Sequence, residues 1–277
     1  MELTSGRSEI AIGLIDGPVA TNLPDLASEN IRELTGKLQV SCSQAKSTAC
    51  MHGTFVAGIL CARRNSSAPA ICPDCTLLVR PIFIESVTQN GEMVSATPEE
   101  LAAAMIESID AGSRVLNLSV ALSQPSSKGE HQLGEALSYA AKHGVIVVAA
   151  AGNQGTIGSS AITRHQWVIP VVACDLRGRP MSYSNLASSA GRRGLSAPGE
   201  EIISLGAEGQ SLTFGGTSAA APFVTGTIAL LWSAFPTATA TEVRYAVLQN
   251  HTTRRTTIVP PLLDAWAAYQ FLGKAHR

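Results

Sequence analysis

Short apolar runs rich in Val, Ile and Leu recur at Ile10–Ile15, Leu77–Phe83, Val115–Leu118, Val145–Ala150 and Val168–Ala173. They do not alternate with polar positions, which is the pattern of strands covered on both faces. Between and after them lie stretches of helical length: His52–Arg63, Pro98–Ala111, Gly129–His143, Thr217–Phe235, Thr241–Asn250 and a closing Leu262–Leu272. The second is punctuated at both ends, with Thr97 as N-cap, Pro98 in the first helical position and Gly112 at the stop. Polar stretches at Gln39–Thr48, Gln124–Lys128 and Thr252–Pro261 read as connections. Strands alternating with helices predict an α/β fold, a mostly parallel buried sheet with helices on both faces. No repeat or linker divides the chain, so residues 1–277 are expected to form one domain. In such sheets ligands bind at the carboxyl ends of the strands, which directs attention to the residues just after each run.

Composition agrees with a large core. The hydrophobic share is 45% and the charged share 15%, while aromatics make up only 5%, so Ala, Val, Ile and Leu must fill the interior. A net charge of −1 with scattered cations offers nothing to nucleic acid or to an anionic membrane. No apolar stretch is long enough to span a bilayer. The first residues lack a basic region followed by an apolar one, so a cytoplasmic location is expected, or a secreted one if the sequence is trimmed. Of the six cysteines, Cys61 and Cys174 sit in apolar runs and read as buried small residues. Cys72-Pro73-Asp74-Cys75 has a redox or zinc spacing, but no second pair completes a metal site. It reads better as two small residues entering a strand. A disulfide within that pair, or between Cys42 and Cys50, is compatible with the spacing.

Four polar residues gain meaning together. Asp16 ends the first strand, and alone it would merely start a turn before Gly17-Pro18. His52 opens an apolar helix directly after a polar loop. Ser218 follows Gly215-Gly216-Thr217 at the start of a long apolar helix, where a serine is most often a cap. The same position sets free amides and partial positive charge beside its hydroxyl. Asn153 follows a buried strand and offers a side-chain amide to a developing oxyanion. An acid, a base, a nucleophile and an oxyanion donor on one sheet edge make a Ser-His-Asp acyl-transfer apparatus.

The segments around these residues resemble the subtilase family. Ile15-Asp16-Gly17, His52-Gly53-Thr54-Phe55-Val56-Ala57-Gly58 and Gly216-Thr217-Ser218-Ala219-Ala220-Ala221-Pro222 are similar to its three signature segments, in the Asp-His-Ser order known for subtilisin. Leu116-Asn117-Leu118-Ser119 resembles its substrate-binding strand, Ala151-Gly152-Asn153 its oxyanion segment and Ser196-Ala197-Pro198-Gly199 the turn before the serine region. The resemblance implies a subtilisin-like three-layer fold and a serine endopeptidase with Asp16, His52 and Ser218 as triad and Asn153 as oxyanion donor. It also implies a substrate strand laid beside Leu118, Ser119, Val120 and Ala121, with the first specificity pocket bounded by Ala150, Ala151 and Gly152. Two departures stand out: Ala219 replaces a common methionine, and Ala121 stands where many members keep a glycine.

The Arg63–Ala70 loop lacks the family's calcium pattern, although Asn22-Leu23-Pro24-Asp25-Leu26 keeps one acid. No cofactor or metal is therefore expected to be required, calcium included. The wording of His52–Leu60, Cys72–Phe83 and Gly216–Pro222 is similar to the subtilisin-like proteases of cyanobactin maturation, which implies a precursor-peptide substrate and leader removal. Related macrocyclases carry a helical insertion, and the 36 positions from Asp16 to His52 leave little room for one. Hydrolysis is expected over cyclisation, a general degradative protease is the other alternative, and a monomer is expected.

Overall fold

The computed structural model describes residues 3–26, 28–34, 41–83, 85, 96–120, 127–249 and 257–276, the side chains of 28 and 127–129 excepted. Ala121 and most of the connections around 124–126 and 252–256 lie outside the described residues.

Seven strands form one parallel sheet: β1 Ala11–Asp16, β2 Ile31–Glu33, β3 Thr76–Pro81, β4 Val115–Leu118, β5 Ile146–Ala150, β6 Val168–Cys174 and β7 Leu195–Pro198. Their order is β2-β3-β1-β4-β5-β6-β7. The five apolar runs are all central strands, and each is buried along nearly its whole length. Helices α1 Thr48–Cys61, α6 Thr217–Ala234, α7 Ala240–Leu248 and α8 Ala265–Ala275 contribute to the core on one face. Helices α2 Pro98–Asp110 and α3 Ser127–Lys142, with the short α4 Ala161–Arg164, build the other. Successive strand residues serve opposite cores: Val115, Ile146 and Val148 face the first, and Leu116, Val147 and Ala149 the second. The predicted α/β class and three-layer arrangement hold.

Several boundaries differ for identifiable reasons. Helix α1 begins at Thr48 because Ser47 caps it, its side chain accepting from Cys50 N at 3.2 Å. His52 therefore lies in the second turn and does not open the helix. The closing helix begins at Ala265 because Asp264 caps it, accepting from Ala267 N at 2.9 Å. Thr97 caps α2 as expected, in a capping box with Glu100. Ser196–Pro198 is strand β7, not a turn. Pro198 is tolerated there because β7 is an edge strand. The hairpin of β8 Ile202–Leu205 and β9 Ser211–Phe214, the short strand β2 and the helix α5 Ser188–Arg193 had no apolar run to announce them.

Cys42 and Cys50 form a disulfide, tying the loop before α1 to its first turn. Cys61, Cys72, Cys75 and Cys174 are buried thiols, with Cys75 immediately ahead of β3, as the small-residue reading requires.

Candidate active site

Asp16 ends β1 and is fully buried, and His52 reaches it from α1. Its Nδ1 lies 2.6 Å from Asp16 Oδ1, with the imidazole side chain 14% exposed. The same carboxylate oxygen accepts from Gly17 N at 2.6 Å, while Oδ2 is buried with no hydrogen-bond partner among the described residues. Burial of the imidazole acts to lower its pKa. The charge of Asp16 and the hydrogen bond to it outweigh that effect, so His52 is raised above its ordinary value of 6.5.

Ser218 is the second residue of α6, with Gly216 in the capping position and no side-chain cap. Gly216 has φ +117°, and a Cβ there would sit 2.9 Å from Asn153 Nδ2. The glycine thus allows the helix entrance to close on the residue after β5. Asn153 is exposed, and its Oδ1 accepts from Thr217 N at 2.9 Å and Thr217 Oγ1 at 3.0 Å. That fixes the amide so that Nδ2 is left as its donor end. Gly152 N in turn donates to Thr217 Oγ1 at 3.1 Å. Asp16 with His52, and Ser218 with Asn153, form two joined pairs on the carboxyl rim of the sheet, and α1 packs directly on α6.

Pro222 is the sixth residue of α6, past the first turn, so it removes a hydrogen bond that the helix would otherwise make. The carbonyl left over is that of Ser218, four residues back. The Ser119 hydroxyl fills the gap, donating to Ser218 O at 3.3 Å. Asn117 Nδ2 donates to Ser119 Oγ at 2.6 Å, and Thr225 Oγ1 donates to Asn117 Oδ1 at 2.8 Å. This buried chain runs from the body of α6 through β4 and back to the carbonyl of the serine. The sequence pattern had singled out neither Thr225 nor the role of Asn117; a polar residue inside a buried strand and another inside an apolar helix were the available signals.

Of the residues assigned to substrate binding, Leu118 is paired with Ile15 on one side and Ala149 on the other, and its side chain is fully buried. Ser119 and Val120 continue past the sheet without pairing. Ala150 ends β5, and the backbone beyond it is tightly held. Ala151 N donates to Val171 O at 2.9 Å, Asn185 Nδ2 to Ala151 O at 3.2 Å and Asn185 N to Gly152 O at 2.9 Å. Asn185, which sequence reasoning missed, also accepts from Gln154 N and Thr156 N. The 151–152 stretch is therefore a fixed wall.

The subtilase family matches over residues 7–262. A thermophilic serine proteinase of Bacillus sp. (strain AK1) is 32% identical over 234 residues, 84% of this chain and 54% of that protein. The chain thus spans about half the length of that relative. Among solved structures, a serine-to-alanine mutant of the protease domain of PatA superposes with a TM-score of 0.89 at 28% identity, over 99% of both chains. The patellamide maturation protease PatA gives a TM-score of 0.79 at 27% identity, over 97% of this chain and 98% of that one. The PatG macrocyclase domain shares the fold, with a TM-score of 0.82 at 20% identity over 98% of this chain and 93% of that one.

Two measurements probe this geometry. Replacing Thr225 by Val leaves Asn117 Oδ1 buried without its donor and should cost about 1–3 kcal/mol in denaturant unfolding. Thr225→Ser, which keeps the hydroxyl, should lose less; equal losses would show that the hydroxyl does not matter. His52 must be neutral to accept a proton, so its raised pKa places the acid limb of kcat/KM above 6.5. Asp16→Asn removes both raising effects and leaves burial, so that limb should move down while kcat falls about 10⁴-fold. A limb that stays in place would separate Asp16 from the titration.

Proposed function

Because the chain belongs to the subtilase family, we propose that it is a serine endopeptidase in which Ser218, His52 and Asp16 act as nucleophile, base and orienting acid. The observation that carries this reading is the buried Asp16–His52 pair, 2.6 Å apart, on the same rim as a serine at the entrance of α6. Ser218 Oγ attacks the scissile carbonyl carbon as its proton passes to His52 Nε2. The C–N bond breaks when the imidazolium returns that proton to the leaving amine. Water, deprotonated by His52, then attacks the acyl ester, releases the new carboxylic acid and restores the serine hydroxyl. Asn153 Nδ2 and the first-turn amide of Ser218 hold the oxyanion; one such donor is worth about 10²–10³ in rate.

Substrate adds as an extended strand from Ser119 onward, since Leu118 already has neighbours on both edges. Ala150–Gly152 form the facing wall. The likeness to PatA supports a precursor peptide as substrate, cut to remove its leader. Hydrolysis is favoured over transfer to an amine because, between Asp16 and His52, the described residues form one 3-10 turn and strand β2 ahead of α1 and no added helix.

No calcium is needed in this reading. In the loop where an acid was kept, Arg63 Nε donates to Pro24 O at 3.2 Å and Arg63 N to Asp25 O at 2.7 Å, and the guanidinium pairs with Glu29 at 3.1 Å. A cation of the protein's own therefore stands beside those carbonyls. EDTA is expected to leave Tm and activity unchanged; a marked loss restored by calcium would reverse this.

A fluorophosphonate probe should label the intact protein and not Ser218→Ala, whose kcat should fall about 10⁶-fold. Failure of the intact protein to label would sink the enzyme reading. Mass analysis of products from a precursor peptide should find linear fragments that have gained water, whereas a cyclic product would assign acyl transfer.

A further inference from the structure

At the rim opposite Ser218, the link from α4 to β6 and one residue of α7 enclose a cavity of about 600 Å³. It is lined by Ala141, Arg164, His165, Gln166, Trp167 and Arg244. Arg244 donates from Nε to Trp167 O at 3.3 Å and from Nη2 to Gln166 O at 2.6 Å, and its guanidinium carbon lies 5.2 Å from the Trp167 ring centre. Arg193, at the end of α5, donates from Nη2 to Arg164 O at 3.0 Å. Its Nε is buried with no hydrogen-bond partner among the described residues.

Both guanidiniums are thus held by neutral carbonyls, which satisfy N–H donors and leave the charge uncompensated. Among the described residues neither forms an ion pair with a carboxylate. Glu130, the acid on this side, is taken by Arg164 at 3.1 Å. Residues 250–256, which lie outside the described residues, contain no acid to supply one. Burial, and after it the field of Arg193, pulls down the pKa of both Arg244 and His165. Half-buried like charges with no counter-ion are costly, and a planar guanidinium offers paired donors suited to an oxyanion.

We propose that this cavity is a binding site for a tetrahedral oxyanion of the phosphate class, with Arg244 and Arg193 as its cationic walls. Two otherwise uncompensated positive charges match a dianion, and the unpartnered Arg193 Nε supplies a donor already stripped of water. The site is remote from Ser218 and independent of the proteolytic reading.

The test titrates inorganic phosphate against the intact protein at ionic strength held constant with sodium chloride, following Tm and tryptophan fluorescence. Saturable binding at millimolar phosphate or below is expected, with the fluorescence change arising at Trp167 beneath Arg244. Arg193→Gln and Arg244→Gln should each weaken it at least tenfold, and Ser218→Ala should leave it unchanged. Arg193→Gln keeps the Arg244 carbonyl contacts, so it remains informative if Arg244→Gln fails to fold. A parallel titration with phosphoserine separates free phosphate from a phosphoryl group carried on an organic molecule, the tighter ligand identifying the source. A chloride-matched response in the intact protein, or full binding by the folded Arg193→Gln variant, would overturn the site.

Discussion

The backbone of α1 lies directly against the chain leaving β1, and the catalytic rim depends on that contact. A Cβ on Gly17 would fall 2.0 Å from the carbonyl oxygen of Ala49, and one on Gly53 would fall 2.4 Å from that of Gly17. No side chain fits in either place. Packed helices usually stand 8–10 Å apart because side chains separate them; here their absence lets the imidazole of His52 come within 2.6 Å of Asp16. Thr54, one helical residue further, accepts from Ala20 N at 2.9 Å and fixes the seam. Burial would by itself push His52 towards the neutral form. The proximity of a buried carboxylate reverses that sign. A small loosening of the seam would weaken the charge interaction while leaving much of the burial in place.

Helix α6 solves a related problem by polar means. Its entrance must keep first-turn amides free beside Ser218, yet Pro222 also deprives the Ser218 carbonyl of its helical partner. The orphan carbonyl is met by Ser119, which is oriented by Asn117, itself held by Thr225. Asn117 and Thr225 are fully buried and Ser119 nearly so. A polar chain in an apolar layer is stabilising only when every member is satisfied, and here each hydroxyl or amide named finds its partner. The serine is consequently tied to β4, the strand beside which substrate is proposed to lie.

Much of this was legible in the sequence because the relevant signals are local. Continuous Val/Ile/Leu runs announced the central strands, and Thr97, Pro98 and Gly112 bounded α2 nearly to the residue. Motif order located Asp16, His52, Asn153 and Ser218, and the fold then brought them to one rim. The failures are equally physical. The cap of α1 is Ser47, inside a polar stretch where nothing apolar marks a helix start. Strand β7 contains a proline permitted only because the strand lies at the edge, which is a property of topology. The hairpin β8–β9 is short and partly exposed. Thr225 and Asn185 act through partners 108 and 34 positions away, so no local pattern could have assigned them.

The two rims of the sheet treat buried charge in opposite ways. At the carboxyl rim, Asp16 is fully enclosed but faces a base able to become cationic, so a charge created during reaction arrives next to one already present. Transition-state stabilisation of this kind requires that the partner be in place beforehand, because reorganising dipoles during the reaction would cost the energy gained. At the amino rim, Arg193 and Arg244 face only carbonyls, which orient them and leave their charges standing. Orientation without neutralisation is what a preorganised binding site needs: the donors are fixed, the desolvation has already occurred, and the remaining free energy is available to an incoming anion.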